Sequence, residues 1–147
     1  MLKKYKDVKE KVGKYFTAYE FACRHCGECV IDTELIKVLD CIREGIGNPV
    51  IVNSGYRCEK HNKEVGGSPN SQHKLGTAAD ISCSAVSVKT LYKVAEKCLG
   101  DRGGLGYYPV SNFVHVDVRK GYSRWYEAKK GTVQTLTLEK KKVLGLV

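Results

Sequence analysis

The sequence has no apolar run that approaches the about 20 residues of a membrane-spanning helix. Its Lys-rich first residues also lack the apolar core and the small-residue cleavage site of a secretory signal. No internal repeat and no linker-like segment interrupts the chain. These absences argue against a helical membrane protein and a repeat array. We expect a protein that is synthesised in the cytoplasm without a signal peptide and without membrane insertion.

The composition is typical of one folded domain. The 147 residues can bury a substantial core but are few for two domains. A hydrophobic fraction of 42% beside a charged fraction of 28% is ordinary for a soluble protein. We therefore predict a single domain over residues 1–147, with a core at about 17–126 and a C-terminal extension at 127–147. We expect this domain to be a monomer.

The charge is strongly unbalanced. A formal net charge of +9 predicts attraction to a polyanion, which can be nucleic acid, an anionic membrane or an anionic cell wall. Charge alone does not choose among these partners. The sequence lacks a recognisable nucleic-acid-reading motif, so a basic nucleic-acid-binding protein with a Cys-bound structural zinc is the weaker hypothesis.

The cysteines are odd in number and mostly scattered. They lie at Cys23, Cys26, Cys29, Cys41, Cys58, Cys83 and Cys98. Without a secretory signal there is no reason to expect an oxidising compartment, so we predict mostly free thiols. Cys23 and Cys26 have the Cys-x-x-Cys spacing of a zinc knuckle, which His25, Cys41 or Cys58 can complete. No second closely spaced pair follows, and buried thiols are therefore the preferred interpretation.

The polar groups that can do chemistry are concentrated between Ser54 and Asp80. His73 and Asp80 lie seven residues apart with small residues between them, and a third candidate, His115, lies in the alternating stretch Phe113–Arg119. This alternation predicts a strand on which His115 and Asp117 share a face. Two imidazoles and one carboxylate commonly hold a zinc ion with its fourth position open. Taken singly, each has an ordinary structural explanation as a loop, strand or turn residue.

Hydrophobic periodicity and capping signals predict an α+β fold. Predicted helices begin at Thr17, Asp32 and Ser87, and a further one or two helical turns fall in 58–65. Predicted strands are 50–53, 78–81, 105–108 and 113–118, with an edge strand or tail at 132–138. Arg57 follows the first of these strands, where its guanidinium can meet a substrate or form a surface salt bridge. Trp125 is predicted to pack in the core rather than line a groove.

Three ordered motifs resemble one known family. Ser71-x-His73-x-x-Gly76-x-Ala78-x-Asp80 follows the segment 54–57 (Ser-Gly-Tyr-Arg) and precedes 114–117 (Val-His-Val-Asp). This pattern resembles the zinc D-Ala-D-Ala carboxypeptidase family, the M15 peptidases. The wider superfamily includes phage L-alanyl-D-glutamate endolysins and the hedgehog signalling domain. The resemblance spans roughly residues 21–125.

The resemblance implies a fold, a cofactor and a substrate. It implies a small antiparallel sheet with helices packed on one side, and one catalytic zinc ion bound by His73, Asp80 and His115. It also implies that Arg57 and Ser71 bind substrate and that Arg57 polarises it. The implied function is a zinc metallopeptidase that hydrolyses bacterial peptidoglycan stem peptides, either as a D-Ala-D-Ala carboxypeptidase or as an endopeptidase of the endolysin type.

One position departs from the family pattern. Several members have an acidic general base three residues before the last zinc ligand, where this sequence has Asn112. Asp117 then becomes the candidate for the general base or for the group that orients the zinc-bound water. A partner that fixes an imidazole is the alternative role. Asn112 also supports a second hypothesis, a catalytically degenerate zinc-binding cell-wall module.

The biological setting follows from the same resemblance. A basic wall peptidase without a signal resembles a phage or prophage lysis enzyme that is released through a membrane pore. The alternatives are a virion-associated enzyme and a bacterial remodelling enzyme that is exported by another route. We therefore expect action at the cell wall, where the positive charge suits an anionic polymer.

Overall fold

A computed structural model describes residues 1–147. The strands are β1 (Leu2–Tyr5), β2 (Lys11–Val12), β3 (Phe16–Thr17), β4 (Cys29–Asp32), β5 (Ile51–Ser54), β6 (Ala78–Ser82), β7 (Gly103–Tyr108), β8 (Phe113–Asp117), β9 (Tyr122–Lys129) and β10 (Thr132–Thr135). The helices are α1 (Ala18–Phe21), α2 (Thr33–Ile46), α3 (Glu59–Glu64), α4 (Val88–Leu99) and α5 (Leu138–Leu144), with a 3-10 turn at Gln72–Leu75. The predicted α+β class is confirmed.

The main sheet has six strands in the order β10-β9-β7-β8-β6-β5. Its pairs are antiparallel except for β7 and β9, which run parallel. Strand β8 already has β7 on one side and β6 on the other, so β9 pairs with the outer edge of β7 instead. The chain reverses after β7 and again after β8, and β9 therefore runs parallel to β7. Two small ribbons, β1 with β4 and β2 with β3, complete the strands.

The two long helices begin and end where the sequence predicts. Asp32 accepts the backbone N–H of Glu34 at 2.8 Å at the start of α2, and Ser87 accepts that of Thr90 at 3.1 Å at the start of α4. Helix α2 ends at Gly47, which has a left-handed backbone with φ 72°. These caps satisfy backbone groups that would otherwise lack partners.

The hydrophobic core lies between the sheet and the helices. On β8, Val114 and Val116 are fully buried in the apolar cluster, and α4 packs on β7 and β8 with Tyr92 against Tyr107 at 5.5 Å between ring centroids. Since successive strand residues face opposite ways, His115 and Asp117 lie on the face away from α4. The sheet therefore has one face covered by helix and one face available for a site.

The last 20 residues continue the fold. The predicted boundary after residue 126 falls inside β9, and β10 is the outer strand of the main sheet. Leu136 and Leu146 are both buried in the core. Of the two options for residues 132–138, the edge strand is found over Thr132–Thr135, and Leu138 already begins α5. No helix is both long and apolar enough to cross a bilayer.

Two cysteines depart from the predicted free state. Cys41 on α2 and Cys98 on α4 form a disulfide with a Cα–Cα distance of 5.9 Å, so the expectation of free thiols is wrong for this pair. The other five are free. The pairing depends on how α2 packs against α4, and the two positions are 57 residues apart in sequence.

Candidate metal centre

The register of the central strands brings the predicted ligands together. Asp80 on β6 is the direct cross-strand partner of His115 on β8. His73 lies in the 3-10 turn that immediately precedes β6. One ligand atom from each of these three residues lies within 4.8 Å of the other two. The structure therefore places His73, Asp80 and His115 in one cluster on the open face of the sheet.

The turn that carries His73 is fixed by its backbone. Gly76 ends the 3-10 turn with φ 76°, a left-handed conformation that favours glycine, and an added Cβ would lie 2.5 Å from the carbonyl oxygen of Val30. Ala78 is buried in strand β6. Of the two explanations for these small residues, close substrate approach and tight packing, the contacts favour packing.

The imidazole of His73 is held in one tautomer. Its Nδ1 lies 2.7 Å from the carbonyl oxygen of Gly55. A carbonyl oxygen only accepts, so Nδ1 carries the hydrogen and Nε2 presents its lone pair. That Nε2 lies 3.2 Å from Asp80 Oδ1, which is also an acceptor. A cation between the two atoms satisfies both, so this arrangement fits a metal ligand set.

His115 is held between two carboxylates. Its Nδ1 lies 2.9 Å from Asp80 Oδ1 and its Nε2 lies 2.7 Å from Asp117 Oδ2. Burial alone would lower the pKa of His115, but the hydrogen bonds to Asp117 and Asp80 raise it to about 9. Asp80 itself has a pKa well below its usual range. Burial opposes that shift, but the interactions of the carboxylate with His115 and His73 outweigh it.

Asp117 lies behind His115 and is fully buried. Its oxygens accept the backbone N–H of Gly104 at 2.9 Å, the Arg119 Nε–H at 2.8 Å and the Arg119 NH2 group at 2.7 Å, besides His115. Burial would raise the pKa of Asp117, but the hydrogen bonds from Arg119 and His115 hold it well below the usual range. The carboxylate is therefore ionised, fixed in position and shielded from the cleft.

A cleft of about 380 Å³ opens in front of the three candidate ligands. Its lining residues are Arg57, Ser68, Asn70, Ser71, Gln72, His73, Asp80, Tyr108, Phe113, His115, Arg119 and Trp125. Asp80 is the only carboxylate among them. The predicted substrate-binding residues Arg57 and Ser71 are thus in the same cleft as the ligands, whereas Asp117 is not in its lining.

Arg57 presents an incompletely satisfied guanidinium to this cleft. Its backbone N–H donates to the carbonyl oxygen of His73 at 3.0 Å, and its NH2 group donates to Ser71 Oγ at 3.4 Å. Its buried Nε has no hydrogen-bond partner. Burial lowers the pKa of Arg57, and Asp80 opposes that shift. A buried donor without a partner is costly.

An aromatic wall closes one side of the cleft. Trp125 donates its Nε1–H to the Tyr108 hydroxyl at 2.8 Å, and its ring lies 5.1 Å from that of His115. The prediction that Trp125 packs in the core is therefore wrong. Gly106 lies between His115 and Trp125 in the strand register, and an added Cβ would be 2.7 Å from Trp125 Cε2. The placement of Trp125 depends on the pairing of β9 with β7.

Six lining residues were not singled out from the sequence, namely Ser68, Asn70, Gln72, Tyr108, Phe113 and Arg119. Tyr108 and Phe113 stack at 4.2 Å between ring centroids across the β7–β8 hairpin. Arg119 lies two residues after Asp117. The alternation that puts His115 and Asp117 on one face of the strand therefore puts Arg119 on that face as well.

Asn112 lies in the hairpin turn with φ 61°, which asparagine tolerates better than most residues. Its identity is thus explained by the turn.

The fold and the donor set define an α+β domain whose open sheet face carries three side chains that are able to hold one metal ion. The Peptidase M15 family model matches residues 14–117, which is more than half of the chain. The chain belongs to the peptidase M15 family, and the resemblance drawn from its motifs is confirmed at that level.

Curated relatives give a second comparison. The chain is 37% identical over 78 residues to the peptidoglycan L,D-endopeptidase MepK of Escherichia coli K12. The matched segment covers 50% of this chain and 42% of that protein. The chain is 38% identical over 79 residues to the probable peptidoglycan L,D-endopeptidase MepK of Haemophilus influenzae, covering 50% and 41% respectively. The chain therefore matches about two fifths of the length of these relatives.

Proposed function

We propose that this protein is a zinc-dependent peptidase that cleaves peptidoglycan stem peptides. The observation that carries the proposal is the convergence of His73, Asp80 and His115 in one cleft with the incompletely paired guanidinium of Arg57. Membership in the peptidase family supports the proposed reaction, and the curated relatives, which are named as peptidoglycan endopeptidases, support the proposed substrate.

The donor set suits zinc. Two imidazole nitrogens and one carboxylate oxygen are the ligands of many catalytic zinc sites, and they leave one position open toward the cleft. His73 would contribute Nε2, because Gly55 holds Nδ1, and His115 would contribute Nδ1, because Asp117 holds Nε2. A bound zinc ion supplies an acidified water and polarises a carbonyl group.

Arg57 would bind the reacting part of the substrate. A guanidinium with free donors is complementary to a carboxylate and to the oxygen that gains charge when a peptide carbonyl is attacked. Ser71 already accepts a hydrogen bond from Arg57 and accepts the backbone N–H of His73 at 3.2 Å. We propose that Ser71 positions Arg57 and that both residues contact the substrate.

Asp117 is proposed to position His115. Its oxygens already accept hydrogen bonds from Gly104, Arg119 and His115, so little acceptor capacity faces the cleft. A carboxylate behind a ligating imidazole fixes the ring and its tautomer and strengthens the ligand. Of the roles left open for Asp117, this geometry supports the imidazole partner over the general base.

The relatives favour an internal cleavage. Both relatives are named as L,D-endopeptidases, and we propose the same bond type for this chain in preference to removal of a terminal D-Ala. Action at the cell wall is part of the proposal, since the net charge of +9 attracts the chain to anionic wall polymers.

The test combines metal analysis with product analysis. Wild type, His73→Ala and the control His25→Ala would be assayed for bound zinc and incubated with purified peptidoglycan, and the products analysed by mass spectrometry. We expect wild type and His25→Ala to release stem-peptide fragments cut at an L,D bond, and His73→Ala to release none. Release of free D-Ala alone would instead establish the carboxypeptidase. No cleavage by wild type with zinc bound at this centre would overturn the peptidase proposal.

A catalytically degenerate metal module is the second candidate. The observation in its favour is that Asp80, itself a proposed ligand, is the only carboxylate in the cleft lining. This candidate predicts that zinc binds at His73, Asp80 and His115, that the protein binds peptidoglycan, and that no fragment is released at any enzyme concentration.

A further inference from the structure

A second group of potential metal ligands lies outside the cleft. The sulfur atoms of Cys23, Cys26 and Cys58 are within 4.8 Å of one another, although Cys58 is 35 residues from Cys23. Cys23 and Cys26 lie in the loop between α1 and β4, and Cys58 caps the start of α3. We propose that these three cysteines form a structural zinc site, with His61 as the fourth ligand.

The backbone around the sulfurs favours thiolates. The N–H of Cys58 donates to Cys23 Sγ and the N–H of His61 donates to Cys58 Sγ, each at 3.4 Å. Hydrogen bonds to sulfur stabilise the charged form that binds metal.

The other unpaired buried thiol in this region has the opposite surroundings. Cys29 is fully buried and donates its S–H to the carbonyl oxygen of Ala18 at 3.3 Å. Burial raises the pKa of Cys29 to about 11. Cys29 therefore packs as an apolar side chain. The sulfurs of Cys23, Cys26 and Cys58, in contrast, lie close enough together to bind one cation.

The loop that carries the first two cysteines is shaped to present them. The N–H of Gly27 donates to the carbonyl oxygen of Cys23 at 2.9 Å, and the N–H of Cys23 donates to that of Glu28 at 2.7 Å. Gly27 has φ 76°, so the chain turns back immediately after Cys26. A Cys-x-x-Cys pair on such a tight loop is the spacing that structural zinc sites use.

His61 is proposed as the fourth ligand from its position on α3, although its ring lies outside the group of ligand atoms within 4.8 Å of one another. It follows Cys58 by three residues on α3, so both side chains lie on the same side of the helix. The pair Cys58-x-x-His61 thus matches Cys23-x-x-Cys26 in spacing, and three cysteines with one histidine form a common tetrahedral zinc set. The ring of His25 is stacked on that of His61 at 6.4 Å between centroids, which makes His25 a matched control.

A metal bound by Cys23, Cys26 and Cys58 would stabilise the backbone that carries Arg57, a residue of the cleft lining. The segments 21–23 and 56–58 are already paired, since the N–H of Tyr56 donates to the carbonyl oxygen of Phe21 at 2.8 Å. Arg57 lies directly before Cys58, and its backbone N–H donates to His73. Four ligands from both segments would fix the backbone that carries Arg57. The inference concerns metal binding and does not rest on the proposed peptidase activity.

The test is metal content and cobalt spectroscopy on the reduced full-length chain, prepared without oxygen. We expect two zinc equivalents in wild type, one in Cys58→Ser and one in His73→Ala. With cobalt, wild type and His73→Ala should show the intense near-ultraviolet band of sulfur-to-cobalt charge transfer, and Cys58→Ser should lack most of it. Cys83→Ser, which removes a free cysteine outside the cluster, should keep two equivalents and the full band.

The fourth ligand is tested by affinity. His61→Ala should weaken zinc binding at the cysteine site by at least tenfold in competition with a chelator, while His25→Ala should leave it unchanged. The wild-type cobalt spectrum needs no variant, so it decides the question even where a cysteine variant fails to fold. A single zinc equivalent without the sulfur band in fully reduced wild type would overturn the proposal, as would a disulfide among Cys23, Cys26 and Cys58 in protein prepared without oxygen. Equal losses in His61→Ala and His25→Ala would overturn the assignment of His61.

Discussion

Asp117 and His115 lie two residues apart on β8, and their side chains meet at 2.7 Å on the face of the sheet away from α4. The period of two along a strand produces this contact, and Arg119, a further two residues on, extends it by a two-point hydrogen bond to the same carboxylate. Arg119, Asp117 and His115 therefore form a chain of hydrogen bonds that ends at a proposed metal ligand.

The first prediction concerns this row. Asp117→Asn should weaken zinc binding by about 10–100-fold, because the carboxylate that orients a ligating imidazole contributes about that factor. The measurement is zinc affinity by chelator competition, with kcat measured at saturating zinc. If Asp117 were instead the general base, the variant would keep wild-type zinc affinity and lose its kcat.

The second prediction concerns the neighbour that supports Asp117. A Cβ at Gly104 would lie 2.7 Å from both Asp117 Cγ and Arg119 Nε, too close for either atom to stay in place. Gly104→Ala should therefore displace the carboxylate and lower zinc affinity in the same direction as Asp117→Asn. Gly131→Ala is a control for a glycine-to-alanine change outside the cleft lining, since no atom lies within 4 Å of the added Cβ. Its zinc affinity should equal that of wild type.

The third prediction separates substrate binding from metal binding at Arg57. Arg57→Ala should leave the zinc content unchanged and lower kcat/KM by about 10–100-fold, because hydrogen bonds to a charged group contribute about 1.5–3 kcal/mol. Arg102→Ala removes an arginine whose side chain is 56% exposed and lies outside the cleft lining, and it should match wild type. Loss of zinc from Arg57→Ala would assign Arg57 a structural role instead.

Patterns within short stretches of sequence predicted the candidate ligands His73, Asp80 and His115. The features that they did not predict depend on contacts between segments that are distant in sequence. The alternation of 113–118 placed His115 beside Asp117, and the caps at Asp32 and Ser87 placed the helices, because each signal spans only a few residues. The position of Trp125 depends on the pairing of β9 with β7, which β8 separates in sequence. A local pattern does not show this pairing, and Trp125 was therefore wrongly predicted in the core. The gathering of Cys58 with Cys23 depends likewise on contacts between separate segments.

The last prediction concerns the disulfide between α2 and α4, which the sequence also did not reveal. Closing a loop across 57 residues restricts the unfolded chain, and removing such a bond typically costs about 2–4 kcal/mol. The double variant Cys41→Ser, Cys98→Ser should therefore unfold at a temperature lower by about 5–15 °C for a chain of this size. Calorimetry of zinc-loaded protein measures this shift, and wild type in a reductant strong enough to open the bond should show the same lower temperature. Because the pair lies on the helical side of the sheet, the double variant should keep the zinc content and the kcat of wild type at temperatures where both are folded. An unchanged unfolding temperature in the double variant would show that the bond does not constrain the unfolded chain.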